Sequence, residues 1–140
     1  MATFAELLPN KTLIAQPGAV YLGPLEGVDH KKFHIIAGVS GDRVISCSVL
    51  INSNINPYIL ARQHLLDLQI LISPSDYSFL DHESFINCAS PHTGKLSHFD
   101  GKEYTYIGAI NSKHLSEVRD NLRNSGILTP EEIEMFFSEE

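Results

Sequence analysis

From residue 17 onward the chain alternates short apolar runs with glycine, proline and asparagine breaks, a spacing that predicts strands before it predicts helices. PGAVYLG, residues 17 to 23, reads as a first strand, and Pro24 and Gly27 break it into a loop reaching His30. KKFHIIAGV and RVISCSVLI flank Gly41-Asp42 and read as the arms of a β-hairpin, with Gly41 supplying the positive φ of a two-residue turn. NINP after Ser53 marks another loop, and the run from Tyr58 to Leu66 fits a short helix or a strand equally. LQILIS, 68 to 73, predicts a strand stopped by Pro74, and SFLDHESFINCAS holds a short one around Phe85 to Cys88. PHTGKLSHFDGKE reads as a polar loop or hairpin tip, and YTYIGAI, 104 to 110, as the last strand.

The C-terminal third changes period. In SKHLSEVRDNLRNSG the apolar Leu115, Val118 and Leu122 recur at helical spacing behind Ser112, and Gly126 ends the pattern. TPEEIEMFF carries a complete start signal: Thr129 caps, Pro130 suits the first helical position, and Glu132 closes a capping box. About six short strands followed by helices over roughly 112–138 predict a mainly β, α+β single domain spanning 1–140. Strands this short with turns this frequent favour a small antiparallel barrel, closed or half-open, over a parallel sheet.

A two-residue turn sets Phe33 across from Leu50, His34 across from Val49 and Ile35 across from Ser48. One face then holds Phe33, Ile35, Ala37 and Val39 with Val44, Ser46, Ser48 and Leu50; the other holds Lys32, His34, Ile36 and Gly38 with Ile45, Cys47, Val49 and Ile51. Both faces are largely apolar, so both need a cover: the C-terminal helices, or a second subunit. A slip of one residue would exchange the faces.

Length and composition agree with one folded domain, since 140 residues with 43% apolar and 19% charged content can bury a core without staples. Cys47 and Cys88 lie in apolar strand-like runs and read as buried reduced thiols. The segment MATFAELLPNKTLIAQPG has neither a basic nor a long apolar stretch, and no run approaches the roughly 18 apolar residues that span a bilayer. A cytoplasmic protein with no membrane partner is expected, with the sequon Asn10-Lys11-Thr12 incidental. The net charge of −7 opposes a nucleic-acid partner at first sight, yet it is uneven. Residues 1–65 hold five basic and four acidic residues, whereas 129–140 hold five glutamates and no base. The acidity belongs largely to the C-terminal end, where the acids of EEIEMFFSEE read as the wet side of a helix whose apolar side packs on the sheet.

Candidate chemistry is sparse. His34 reads as a core histidine bonded to a backbone carbonyl, and Ser46 and Ser48 as small strand residues without the Gly-x-Ser-x-Gly setting of a hydrolase. Cys88 with His92, Asp81-His82 and His98-x-Asp100 lack paired metal-ligand spacing, and no phosphate-cradling glycine loop or dinucleotide fingerprint is present. No metal and no cofactor is implied. His82, His92 and His98 read as surface residues that, with Tyr77 or Phe99, are able to stack on bases.

Several pieces in order resemble the PemK/MazF family of toxin endoribonucleases: Pro17-Gly18-Ala19-Val20-Tyr21, a loop, Lys31-Lys32 opening an apolar strand, a returning strand ending in polar residues, SFLDHESFINCAS, and a helix after Gly108-Ala109-Ile110. The resemblance runs from about Pro17 to Met135 and rests on the order of the pieces. It implies an SH3-like barrel, a homodimer, that cuts single-stranded RNA without a metal and is held inactive by an antitoxin protein. The family's basic residue falls on Lys32 with Lys31 beside it, and its polar residue at the end of the returning strand falls on Asn52 or Ser53. Its acidic loop residue falls on Glu26 or Asp29, and His30 of that loop is a candidate base. The implied catalytic set is Lys32, Asn52, Ser53 and Asp29, with Lys31, His30 and Glu26 contacting substrate.

The chain departs from the family in having Lys32-Phe33 where arginine and proline are usual, and Asn52-Ser53 where a threonine is common. Lysine lacks the planar two-point grip of a guanidinium on phosphate. The plain reading of Lys31 and Lys32 is a solvated strand entrance, and that of Asn52-Ser53-Asn54 is turn chemistry. The alternative function is therefore a non-catalytic barrel of the same fold that serves as a binding or interaction module.

Overall fold

The computed structural model describes residues 15–138. The N-terminal segment with its sequon, and the last two glutamates, lie outside the described residues. Six strands form one antiparallel sheet: β1 (Ala19–Gly23), β2 (Lys32–Val39), β3 (Ile45–Asn52), β4 (Gln69–Ile72), β5 (Ser84–Lys95) and β6 (Thr105–Ala109). Their spatial order is β4-β5-β3-β2-β1-β6, so β4 and β6 are the edges and no ladder joins them among the described residues. Among the described residues four helices accompany the sheet: α1 (Pro57–Leu60), α2 (Gln63–Leu66), α3 (Ser112–Asn124) and α4 (Pro130–Phe137). A 3-10 turn, Leu96–Asp100, follows β5. The architecture is α+β with a sheet-rich core. Among the described residues no helix is long and apolar enough to cross a membrane.

The segment left open between Tyr58 and Leu66 resolves as two single helical turns. Asn56 caps the first, its side chain accepting from Ile59 N at 2.9 Å, with Pro57 at the first helical position. α3 and α4 begin where expected, and Thr129 and Glu132 form the reciprocal capping box.

The β2–β3 turn differs from expectation, and the difference exchanges the faces of the hairpin. Four residues, not two, separate Ser40 from Ile45, whose backbones pair through Ser40 N and Ile45 O at 2.9 Å. Ser40 Oγ accepts from Ile45 N and donates to Asp42 Oδ1 at 2.6 Å, which folds the loop on its own side chains. The residue with positive φ is Arg43, at 58°, rather than Gly41. The resulting register sets Phe33 opposite Ile51, His34 opposite Leu50, Ile35 opposite Val49 and Ile36 opposite Ser48. Near the turn an irregularity at Ala37 brings Gly38 opposite Cys47.

One face of the hairpin therefore carries Phe33, Ile35, Cys47, Val49 and Ile51 into the main core, where Val118, Leu122, Phe136 and Phe137 from α3 and α4 cover them. Fully burying each such aliphatic side chain contributes about 1.5–3 kcal/mol. The other face carries Ile36 into a smaller cluster with Tyr21, Leu96 and Phe99, and on it lie His34, Ser46 and Ser48. Expecting both faces to need a cover was sound; the members of each face are corrected. Arg119 of α3 is itself buried, and its guanidinium donates to Ala37 O at 3.0 Å beside the Phe137 ring. That bond satisfies a carbonyl at the irregular point of β2.

β5 is the second correction. Where the sequence predicts a short strand around Phe85 to Cys88 and a polar loop or hairpin tip from Pro91, β5 runs for twelve residues and includes Pro91 to Lys95. Asn87 pairs with Leu50 and His92 with Ser48, so four residues of β5 face one of β3. The bulge absorbs Pro91, which has no N–H to give to a ladder. Past it, β5 pairs with β3 alone among the described residues, because β4 ends its pairing at Asn87. A polar sequence is tolerated there because one side of the strand is open.

Candidate functional site

The open end of the β2–β3 hairpin collects most of the residues singled out from the sequence. Lys32 begins β2, Asn52 ends β3, and the register that pairs Phe33 with Ile51 brings the two side chains together. Lys32 Nζ donates to Asn52 Oδ1 at 2.5 Å. Partial burial holds the Lys32 ammonium below the ordinary lysine range.

Beside this pair is a cleft of about 160 Å³ lined by His30, Lys31, Lys32 and Ser53 from the hairpin side. The segment joining β4 to β5 forms the facing wall with Phe79, Asp81 and His82, and Ser84 at the start of β5 completes it. Phe79 packs between Phe33, at 5.1 Å between ring centroids, and Tyr77, at 5.3 Å, so an aromatic ledge supports that wall. Tyr77 is anchored in turn: its hydroxyl accepts from Asn111 N at 2.9 Å and bonds His114 Nδ1 at 2.5 Å.

Asp29 does not line the cleft. Its carboxylate bonds His30 Nδ1 at 3.1 Å, and that hydrogen bond holds the carboxyl below its ordinary range. Glu26 lies exposed in the turn around Gly27 and is not among the residues lining the cleft. The structure thus brings together His30, Lys31, Lys32, Asn52 and Ser53, ties Asp29 to the group through His30, and leaves Glu26 apart.

Asp81, His82 and Ser84 were missed as members of this group. Their nearness to Lys32 depends on β5 pairing with β3, a contact between segments some thirty residues apart for which no local spacing gives a sign. His82 is exposed, its Nδ1 within 3.0 Å of Glu83 O.

Chemically the cleft offers ammonium, imidazole, amide and hydroxyl groups and one facing carboxylate. This set suits an anion with several oxygens. Among the described residues no group of three or more His, Cys, Asp or Glu is arranged to hold a metal ion. Cys47 and Cys88 are free and buried, and burial pushes both thiols up to about 12, which leaves them without the thiolate a nucleophile needs. His34 is the core histidine its surroundings implied: it is buried, and its Nε2 donates to Gly23 O at 3.3 Å. No protein-family model matches the chain, and no curated protein matches it either.

Proposed function

We propose that this chain is a PemK/MazF-like endoribonuclease that binds single-stranded RNA at the open end of the β2–β3 hairpin and cuts it without a metal. The observation that carries the reading is the Lys32–Asn52 bond at 2.5 Å beside a cleft shared by His30, Lys31, Ser53 and His82. Cleavage needs a group to accept the 2′-hydroxyl proton, a cation facing the charge that builds on phosphorus, and a donor for the leaving oxygen. Asp29 on His30 Nδ1 leaves Nε2 of that ring as the proton acceptor. The 2′-oxygen then attacks phosphorus and the bond to the 5′-oxygen breaks. The leaving oxygen takes a proton from His82, and the products are a 2′,3′-cyclic phosphate and a 5′-hydroxyl. Lys32 faces the charge that builds on phosphorus and Lys31 attracts the RNA backbone, while the Asn52 amide and Ser53 hydroxyl donate to the phosphoryl oxygens.

The same reading makes the chain the cytoplasmic toxin of a toxin–antitoxin pair and a homodimer, with the open six-stranded sheet as a half-open SH3-like barrel. A second reading, a barrel of this fold that binds without cutting, is favoured by Lys32 itself: its ammonium cannot grip phosphate at two points, and Asn52 already occupies one of its donors. Incubating the purified chain with single-stranded RNA and EDTA separates the two. The expected result is cyclic-phosphate ends, with His30→Ala and Lys32→Ala each slowing cleavage by about 10²-fold or more. RNA that is bound but stays intact overturns the enzyme and supports the binding module.

A further inference from the structure

A second pocket of about 120 Å³ opens on the other face of the hairpin, away from the main core. Its floor is unusually polar for a buried surface: His34 is 5% exposed, Ser46 3% and Ser48 6%. Ser46 Oγ makes a long bond to Gly94 O at 3.4 Å. Ser48 Oγ has no hydrogen-bond partner among the described residues, yet no fully sealed side-chain oxygen or nitrogen is left unpaired. The Ser48 hydroxyl therefore reaches the open space of the pocket it lines. A ligand oxygen entering that space would accept the Ser48 proton in place of solvent.

Donors surround that hydroxyl. His92 stands directly opposite Ser48 in the β3–β5 ladder, and the His98 ring leans over Gly94, where a Cβ would sit 3.8 Å from His98 Nδ1. Lys95 lines the same pocket, and among the described residues no carboxylate does, although the chain holds 17 acidic and 10 basic residues. Phe99 and Tyr104, with ring centroids 5.1 Å apart, form an apolar wall on one side of the pocket. The volume admits one small group rather than a chain of them.

We propose that this pocket is a phosphoryl-binding site, with Ser48, His92 and His98 donating to the oxygens of a phosphate or a phosphomonoester. It is separate from the Lys32 cleft, which is why it can be read with that cleft disabled. Inorganic phosphate is titrated into the full-length Lys32→Ala chain by calorimetry and by phosphorus NMR. Saturable binding is expected there, and adding Ser48→Ala or His98→Ala is expected to weaken it by at least about tenfold, the loss of one hydrogen bond to a charged group. Ser48→Ala removes a hydroxyl with no hydrogen-bond partner among the described residues, so its melting temperature should match that of its parent, and His98 is exposed. Phenyl phosphate binding more tightly than the free anion assigns the pocket to a phosphomonoester on the Phe99–Tyr104 wall; equal binding assigns it to inorganic phosphate. Absence of saturable binding in the Lys32→Ala chain, or binding that survives both pocket substitutions, overturns the site. Neither result bears on RNA cleavage, which Lys32 reads.

Discussion

A Cβ placed on Gly38 would come within 2.8 Å of Phe136 Cβ and 3.0 Å of Phe136 O, so β2 and α4 meet with no room between them for a side chain. Gly38→Ala has to push α4 outward, and with it the Phe136 and Phe137 rings that cover the main core. The expected loss is about 1–3 kcal/mol of stability, read from urea unfolding. Gly41→Ala is the control: a Cβ there meets nothing within 4 Å, and Gly41 is not among the positive-φ residues, so its midpoint should move by less than about 0.5 kcal/mol.

Tyr77 and His114 connect the ledge behind the cleft to the start of α3 through one buried bond. Tyr77→Phe keeps the ring stack on Phe79 but leaves Asn111 N and His114 Nδ1 without their partner. A loss of about 1–3 kcal/mol is expected on thermal or urea unfolding. Tyr58→Phe, on an exposed ring that only carries Arg62 above it, should change nothing measurable. Equal effects in the two variants would show that the buried bond contributes no more than an exposed hydroxyl.

Burial holds His34 below the ordinary histidine range, and nearby His92 and Lys32 add to the shift in the same direction. The unfolded chain then binds a proton at His34 before the folded chain does. Stability from this group is complete above pH 6.5, the ordinary histidine value, and is lost as pH falls through the lower folded value. The slope cannot exceed about 1.4 kcal/mol per pH unit for one proton. Urea midpoints taken at pH 7.5 and 5.5 should fall further for the parent chain than for His34→Gln, which keeps a donor for Gly23 O but does not titrate. Parallel falls in the two proteins would rule out His34 as the source.

Periodicity carried most of the element order, because strand and helix periods and caps such as Thr129–Glu132 are local properties. It failed where a side chain decides the backbone. Ser40 and Asp42 hold a longer turn than Gly41-Asp42 suggests, and Arg43 takes the left-handed conformation in place of a glycine. That shift moved Ser46 and Ser48 off the face assigned to them and onto the face of His34, so the polar pocket they form together was invisible from the sequence. The Lys32–Asn52 meeting survived the error because both lie at the hairpin's end, where a shift of one residue still leaves them neighbours. Asp81, His82 and Ser84 required the long-range pairing of β5 with β3, for which adjacent residues carry no signal.

If the cleft holds RNA phosphates, Lys31 and Lys32 should differ in how they act. Lys31 is exposed and makes no bond to the rest of the chain among the described residues, so its contribution to binding is release of a condensed counterion. Lys31→Ala should reduce the steepness of log affinity against log salt by about 0.7 for a single-stranded ligand. Its cleavage rate at saturating RNA should change by only a few-fold, because charge lost equally from the ground and transition states alters binding and not turnover. Lys32, held by Asn52 beside the reacting phosphate, should instead lower turnover when replaced by alanine, with a smaller change in salt slope. Fluorescence-anisotropy titrations of a noncleavable deoxy-substituted strand, at sodium chloride concentrations from low to physiological, measure the slope, and single-turnover cleavage measures the rate. Equal slopes for the parent chain and Lys31→Ala would remove Lys31 from the interface.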